Sequence, residues 1–174
     1  MAFKYTAVPI NLFSIDPSST ATGIAFFDKG KLKDYTTFVY KEKGAAKKVQ
    51  YMGSNVQHFI EKYQYKEPKI IIESQFYHYT GKQNRTNPES IMLVQYTVGG
   101  IIFACTYFCD PKYVYLVKPV QWQGRNRSKK QTIMRINNAF SLKLKMKDNN
   151  TADAIGIGAW FLDQWRIGKF QGDL

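Results

Sequence analysis

Three carboxylates in this 174-residue chain stand where a carboxylate is costly, at the edge of an apolar run. Asp16 closes Leu12-Phe-Ser-Ile15 and precedes Pro17-Ser-Ser-Thr20; Glu73 closes Lys69-Ile-Ile-Ile; Asp153 opens Ala154-Ile-Gly-Ile-Gly-Ala-Trp160. A carboxylate at the end of a buried strand costs free energy unless something pairs with it. A metal ion is one such partner. Acids far apart in sequence that converge at one end of a sheet suit metal-assisted phosphodiester hydrolysis, in which two divalent cations activate a water and steady the leaving oxygen. Mg²⁺ takes carboxylate oxygens and keeps several waters, so such acids are few and well placed. Each acid also has an ordinary reading. Asp16-Pro17 is a common turn pair, Glu73 could be a surface acid just past a strand, and Asp153 could be a first-turn acid favoured by the helix dipole. Their joint occurrence in this order is what points to a site.

The elements that must position these acids follow from periodicity and breakers. A strand over Asn11–Ile15 is followed by a second over Thr22–Phe27, with Gly23 and the small residues before it allowing a ligand to approach the backbone. Asp28-Lys-Gly-Lys31 is a hairpin turn leading to a third strand over Lys33–Tyr40. Three consecutive strands with one tight hairpin predict an antiparallel meander. Val49, Met52, Val56, Ile60 and Tyr63 line one face of a helix over Ala45–Gln64, which Pro68 ends. Lys69–Glu73 is a β-branched strand without alternation, hence buried on both faces. Tyr77–Pro88 is a polar, basic loop. A long helix starts near Pro88-Glu-Ser90 and stops before Asp110-Pro111; a fifth strand covers Tyr113–Val117. After the basic loop Gly124–Ser128 come a helix with Ile133, Ile136 and Phe140 inward, then a last helix from Asn149 or Asn150 to Trp165. Gly156 and Gly158 each cost that helix about 1 kcal/mol relative to Ala, which makes sense if it packs hard against the sheet near the acids. Trp122 reads as packing and His58 as structural or exposed. Periodicity alone gives one mixed α/β domain over residues 1–174.

Lys plus Arg number 25 against 13 Asp plus Glu, a formal charge of +12. For a single domain that excess points to nucleic acid, with an anionic membrane surface as the competitor. Cys105 and Cys109 are four apart on one helix, a poor arrangement for a disulfide and without the histidines of a zinc site. They read as buried thiols in a reducing compartment. The first residues lack a signal-peptide layout, so the expected location is the cytoplasm of a bacterium or a virus-infected cell. Ile91–Cys109 carries no charge, but it is short for a bilayer span and is interrupted by Gln95, Thr97 and Gly99-Gly100. A helix covered by the sheet on one face and by a partner subunit on another explains it without a membrane.

In order and spacing, IDPSSTATG around Asp16, IIIESQF around Glu73 and TADA around Asp153 resemble the RuvC-type Holliday-junction resolvases of the RNase H-like nuclease superfamily. The resemblance runs from about Leu12 to Trp165. It implies an RNase H-like fold: a five-stranded mixed sheet, its first three strands antiparallel, flanked by helices, with the strands bearing Asp16 and Glu73 side by side. It implies a Mg²⁺-dependent endonuclease, with Mn²⁺ substituting, that cuts four-way DNA junctions by paired nicks as a homodimer. Asp16, Glu73 and Asp153 would be catalytic and metal-binding. The family carries an acid or histidine three residues before the last aspartate; here that position is Asn150, a neutral oxygen donor, with Asp148 the other nearby candidate ligand. Lys118 and Lys129 match family lysines near the scissile phosphate. Lys129 and Lys130 also open a helix whose free N–H groups suit a phosphate. Phe76, three after Glu73, matches an aromatic that stacks on DNA, and Tyr77 could share that role. Lys82, Arg85, Arg125 and Arg127 are expected to touch DNA phosphates. Two other readings stay open: an RNase H-like nuclease acting on forks, flaps or RNA–DNA hybrids, and a non-catalytic junction or single-strand binder.

Overall fold

The computed structural model describes residues 8–18, 20–74, 88–124 and 128–170. Five strands form one sheet: β1 (Leu12–Pro17), β2 (Ala21–Asp28), β3 (Lys31–Val39), β4 (Lys69–Glu73) and β5 (Val114–Val117), in the order β3-β2-β1-β4-β5. β1, β2 and β3 run antiparallel in sequence, while β4 is parallel to β1 and β5 parallel to β4. The expected meander and mixed sheet are therefore present. The hairpin from β2 to β3 turns through Lys29 and Gly30, both at positive φ (49° and 79°), the pairing that a right-twisted two-residue hairpin needs.

Helices cover both faces. On one lie α1 (Ala45–Glu61) and α2 (Pro88–Cys105); on the other lie α4 (Lys129–Phe140) and α5 (Asn149–Arg166), with the short α3 (Pro119–Gln123) directly after β5. β1 is buried along its whole length, and its alternation divides it between the layers. Phe13 and Ile15 join Val56, Phe59 and Ile60 of α1 and Val98 and Ile101 of α2. Leu12 joins Ile155, Ile157 and Phe161 of α5. β4 is divided in the same way: Ile70 and Ile72 face α1 and α2, Ile71 faces α5. This explains its continuous β-branched run.

α5 is fastened to the sheet at close range. Ser14 Oγ, fully buried on β1, donates to the Ala154 carbonyl at 2.8 Å. A Cβ on Gly158 would lie 2.3 Å from the Phe27 ring, so that helical glycine does serve contact with the sheet. Gly156 serves a different neighbour, Trp122. At its start, α5 sits on Gly23 of β2. A Cβ there would fall 2.0 Å from the Asn150 carbonyl oxygen.

Several boundaries differ from expectation. β1 runs two residues past Ile15 because Asp16 and Pro17 pair with Gly23 and Thr22. α2 ends at Cys105, four residues short of Cys109, in a turn where Thr106 Oγ1 bonds back to the Phe103 carbonyl at 2.7 Å. α3 was not expected at all. Both cysteines are free and buried, and burial pushes the Cys109 thiol up to about 11. Among the described residues α2 alone is long and apolar enough to cross a bilayer, yet Val98, Ile101, Ala104 and Cys105 bury one of its faces inside the domain. Gly100 lies against Val49 of α1, whereas Gly99 has open space beside it.

Replacing Gly23 with Ala should therefore cost about 3 kcal/mol, the upper end for overpacking. Thermal unfolding should show Tm lowered by roughly 6–12 °C.

Candidate active site

The sheet brings two of the three acids together by register. Ile15 of β1 pairs with Ile72 of β4 in parallel, so Asp16 and Glu73, next along each strand, end adjacent strands at the same level. Neighbouring strands lie about 4.8 Å apart. Both acids follow the alternation that carries Leu12, Ser14 and Ile71 toward α5. Asp16 and Glu73 are 8% and 7% exposed, which puts two carboxylates in the protein interior side by side. Asp153 comes from the second turn of α5, the helix fastened over this end of the sheet by Ser14 and Gly23.

The electrostatics show how strongly the three acids feel one another. Burial, then the charges of Glu73 and Asp153, hold the Asp16 carboxyl well above its ordinary 3.8. Burial and the Glu73 charge push Asp153 up to about 7. The Lys129 ammonium pulls both the other way. Lys129 is the first residue of α4, whose start is fixed by a reciprocal cap: Ser128 Oγ accepts from the Gln131 N–H (3.3 Å), and Gln131 Oε1 accepts from the Ser128 N–H (2.9 Å). A lysine there opposes the helix dipole; its place beside two acids supplies the compensating attraction. The Asn149 amide, oriented to satisfy its neighbours, turns its oxygen to Lys129 Nζ at 3.3 Å.

The other expected site residues divide into three groups. Lys118 is exposed and follows Val117, which pairs with Glu73, so it stands at the same end of the sheet. Lys130 is exposed beside Lys129. Asn150 and Asp148 are occupied with the chain itself. Asn150 Nδ2 donates to Ser18 Oγ and to the Ala21 carbonyl, both at 3.3 Å, stitching the start of α5 to the β1–β2 connection. Asp148 Oδ2 accepts from the Lys145 N–H at 2.8 Å, and Asp148 is absent from the charges acting on Asp16 or Asp153. Phe76, Tyr77, Lys82, Arg85, Arg125 and Arg127 lie outside the described residues. One polar contact escaped the sequence reading: the indole N–H of Trp122 donates to Glu73 Oε2 at 2.6 Å. The only sequence signal was a tryptophan three residues after the proline, Pro119, that follows β5.

Among the described residues, no three histidine, cysteine, aspartate or glutamate side chains form a ready-made cluster around a metal position. Like charges at close quarters keep apart until a cation lies between them. The donor set nonetheless fits a hard divalent cation: it is all oxygen, and it leaves a destabilised negative charge in a buried place.

A sign follows for the metal-free protein. Asp153 holds a proton in the folded state up to about pH 7 that the unfolded chain, at an ordinary 3.8, releases earlier. Its unfavourable effect on stability is absent below about pH 4, grows as pH rises from there, and is complete above about 7. Asp153→Asn should therefore be more stable than the wild-type chain at pH 8 by about 2–3 kcal/mol, and nearly equal to it at pH 4. Urea denaturation in EDTA at the two pH values checks this.

No protein-family model and no curated protein sequence matches the chain. Solved structures do. Thermus thermophilus RuvC in complex with a Holliday-junction substrate superimposes with a TM-score of 0.71 at 19% identity, covering 92% of this chain and 97% of that one. A second structure of Thermus thermophilus RuvC gives 0.66 at 19% identity, over 92% of this chain and 98% of that one. The yeast mitochondrial Holliday-junction resolvase Ydc2 gives 0.58 at 14% identity, over 98% of this chain and 82% of that one. With its five-stranded mixed sheet and flanking helices, the chain has the RNase H-like fold in the arrangement found in RuvC-type Holliday-junction resolvases.

Proposed function

We propose that this protein is a divalent-metal-dependent endonuclease that resolves four-way DNA junctions. The observation that carries the reading is the juxtaposition of Asp16 and Glu73 on adjacent parallel strands with Asp153 above them, the Asp16 and Asp153 carboxyls both raised by burial and by the neighbouring acids. A fold shared with a RuvC bound to a Holliday junction and a net charge of +12 support it. Asp16, Glu73 and Asp153 would hold the cation, with Mg²⁺ preferred and Mn²⁺ able to replace it. When bound, such ions supply an activated water and neutralise charge on the phosphate.

The chain's own residues do the rest. The sheet fixes two carboxylates before substrate arrives, so little reorganisation is needed. Lys129 and the N–H groups at the start of α4 present positive charge beside the acids, where a phosphate can rest. Lys118, at the end of β5, and Lys130 add to it. Phe76, Tyr77, Lys82, Arg85, Arg125 and Arg127 are assigned to the DNA by their chemistry: rings for stacking, cations for phosphates. Asn150 is the better fourth ligand by position, since it sits over Gly23, the cross-strand partner of Asp16. Asp148 is held by Lys145.

Paired nicks on a two-fold junction call for two sites in one assembly, and a homodimer supplies them. The outer face of α2 supports this. Met92, Tyr96, Phe103 and Tyr107 are 52–67% exposed, and the last three line a groove of about 870 Å³ against α1. Such apolar exposure marks an interaction surface. The cellular setting proposed is one that keeps Cys105 and Cys109 reduced, in DNA recombination or repair.

In Mg²⁺, the wild-type protein should nick a mobile four-way junction in preference to a fork, a flap or an RNA–DNA hybrid. Asp16→Asn should lose roughly a hundredfold or more of that activity, while Asp148→Asn should keep it. Junction binding in EDTA without nicking in Mg²⁺ or Mn²⁺ would favour a non-catalytic binder, which the neutral Asn150 would suit. Phe103→Glu should shift the sedimentation coefficient from dimer to monomer and uncouple the two nicks.

A further inference from the structure

Glu73 is held from two sides of the fold. Its backbone belongs to β4, paired through Val117 with β5. Its side chain meets α3, the short helix that leaves β5 at Lys118 and turns Trp122 back over the end of the sheet. The Trp122 indole N–H reaches Glu73 Oε2 at 2.6 Å, and both residues are buried. The ring itself is fixed from behind. A Cβ on Gly156 of α5 would lie 2.6 Å from Trp122 Cζ3, so the absence of a side chain at 156 is what lets the indole lie where its N–H meets the carboxylate.

A buried tryptophan usually finds some acceptor for its N–H, most often a carbonyl. Here the acceptor is an acid of the candidate metal centre. An indole only donates; it can neither take a proton nor bind a cation. What it can do is fix the rotation of a carboxylate through a short, charge-assisted bond. Groups that hold metal-ligating side chains in this way govern metal affinity nearly as strongly as the ligands themselves.

We propose that Trp122 is a positioning residue for Glu73, setting the orientation of its carboxylate toward Asp16 before any cation or DNA arrives, with Gly156 as the seat of the indole. The inference rests on the proposed metal centre. Trp122→Phe keeps the aromatic bulk against Gly156 and removes only the N–H. Mn²⁺ binding by the purified protein, measured by calorimetry without DNA, should weaken about tenfold or more in this variant. Its metal-free melting curve should remain a single cooperative transition. A variant that binds Mn²⁺ as tightly as the wild type would overturn the inference and leave the metal centre standing. If the wild type itself binds no divalent ion, the metal centre falls and the inference with it.

Should Trp122→Phe fail to fold, the intact indole can report directly. Of the three tryptophans in the chain, Trp160 and Trp165 can be changed to Phe, leaving Trp122 as sole emitter. Mn²⁺ should then quench its emission, saturating at the concentration that saturates calorimetric binding. Binding by calorimetry with unchanged emission would refute the role.

Discussion

Like charges placed side by side in a protein interior repel, and apolar layers around them screen that repulsion little. That repulsion governs this molecule. Asp16 and Glu73 end neighbouring strands, inside the fold rather than on its rim, and Asp153 is added from a helix that cannot back away. A domain selected for stability alone would replace at least one of them. The raised carboxyl of Asp153, about 7, measures the cost of keeping them. Such a cost persists where a site needs a focused negative field.

The remainder of this end of the fold holds the acids in place against that repulsion. Ser14 ties β1 to the Ala154 carbonyl, Thr37 Oγ1 meets Thr151 Oγ1 at 2.6 Å, and Asn150 is stitched to Ser18 and Ala21. Each bond joins the first two turns of α5 to a different part of the sheet. Small residues at the contacts, Gly23 and Ser14 on the sheet, bring helix and sheet close enough for an acid on one to feel acids on the other. Lys129, presented by a capped helix, supplies a positive charge that acts on both Asp16 and Asp153. The two faces of the sheet thus divide the work. The α5 side builds the charged site, and the α1–α2 side carries exposed aromatic surface.

Much of this was legible in the chain. The β-branched run before Glu73 announced a strand buried on both faces, and it is one. The lysine-glycine hairpin, the order of elements and the three acids were readable because each is a local pattern of residue types. Reading failed where a side chain's partner lies far away in sequence. Trp122 does pack in the core, as expected, but nothing near it hinted that its N–H meets Glu73, forty-nine residues earlier. The close neighbour of Gly100, Val49, lies on another helix and was hidden in the same way. The bonds of Asn150 to Ser18 and Ala21 span more than a hundred residues and were equally hidden. α3 is too short for any period to show.

By itself, the sequence determined which residues can carry charge into the interior, and which segments extend or coil, since burial pattern and backbone preference are local properties. It also determined the net charge of +12, which depends on a sum over residues and not on their arrangement. Tertiary structure alone decided which acids meet. Parallel pairing of Ile15 with Ile72 puts Asp16 level with Glu73, and one residue of slippage would turn one of them to the opposite face. It also decided that an indole would hold one of those acids. Hydrogen bonds and Coulomb forces depend on distance in space, and only the folded chain sets those distances.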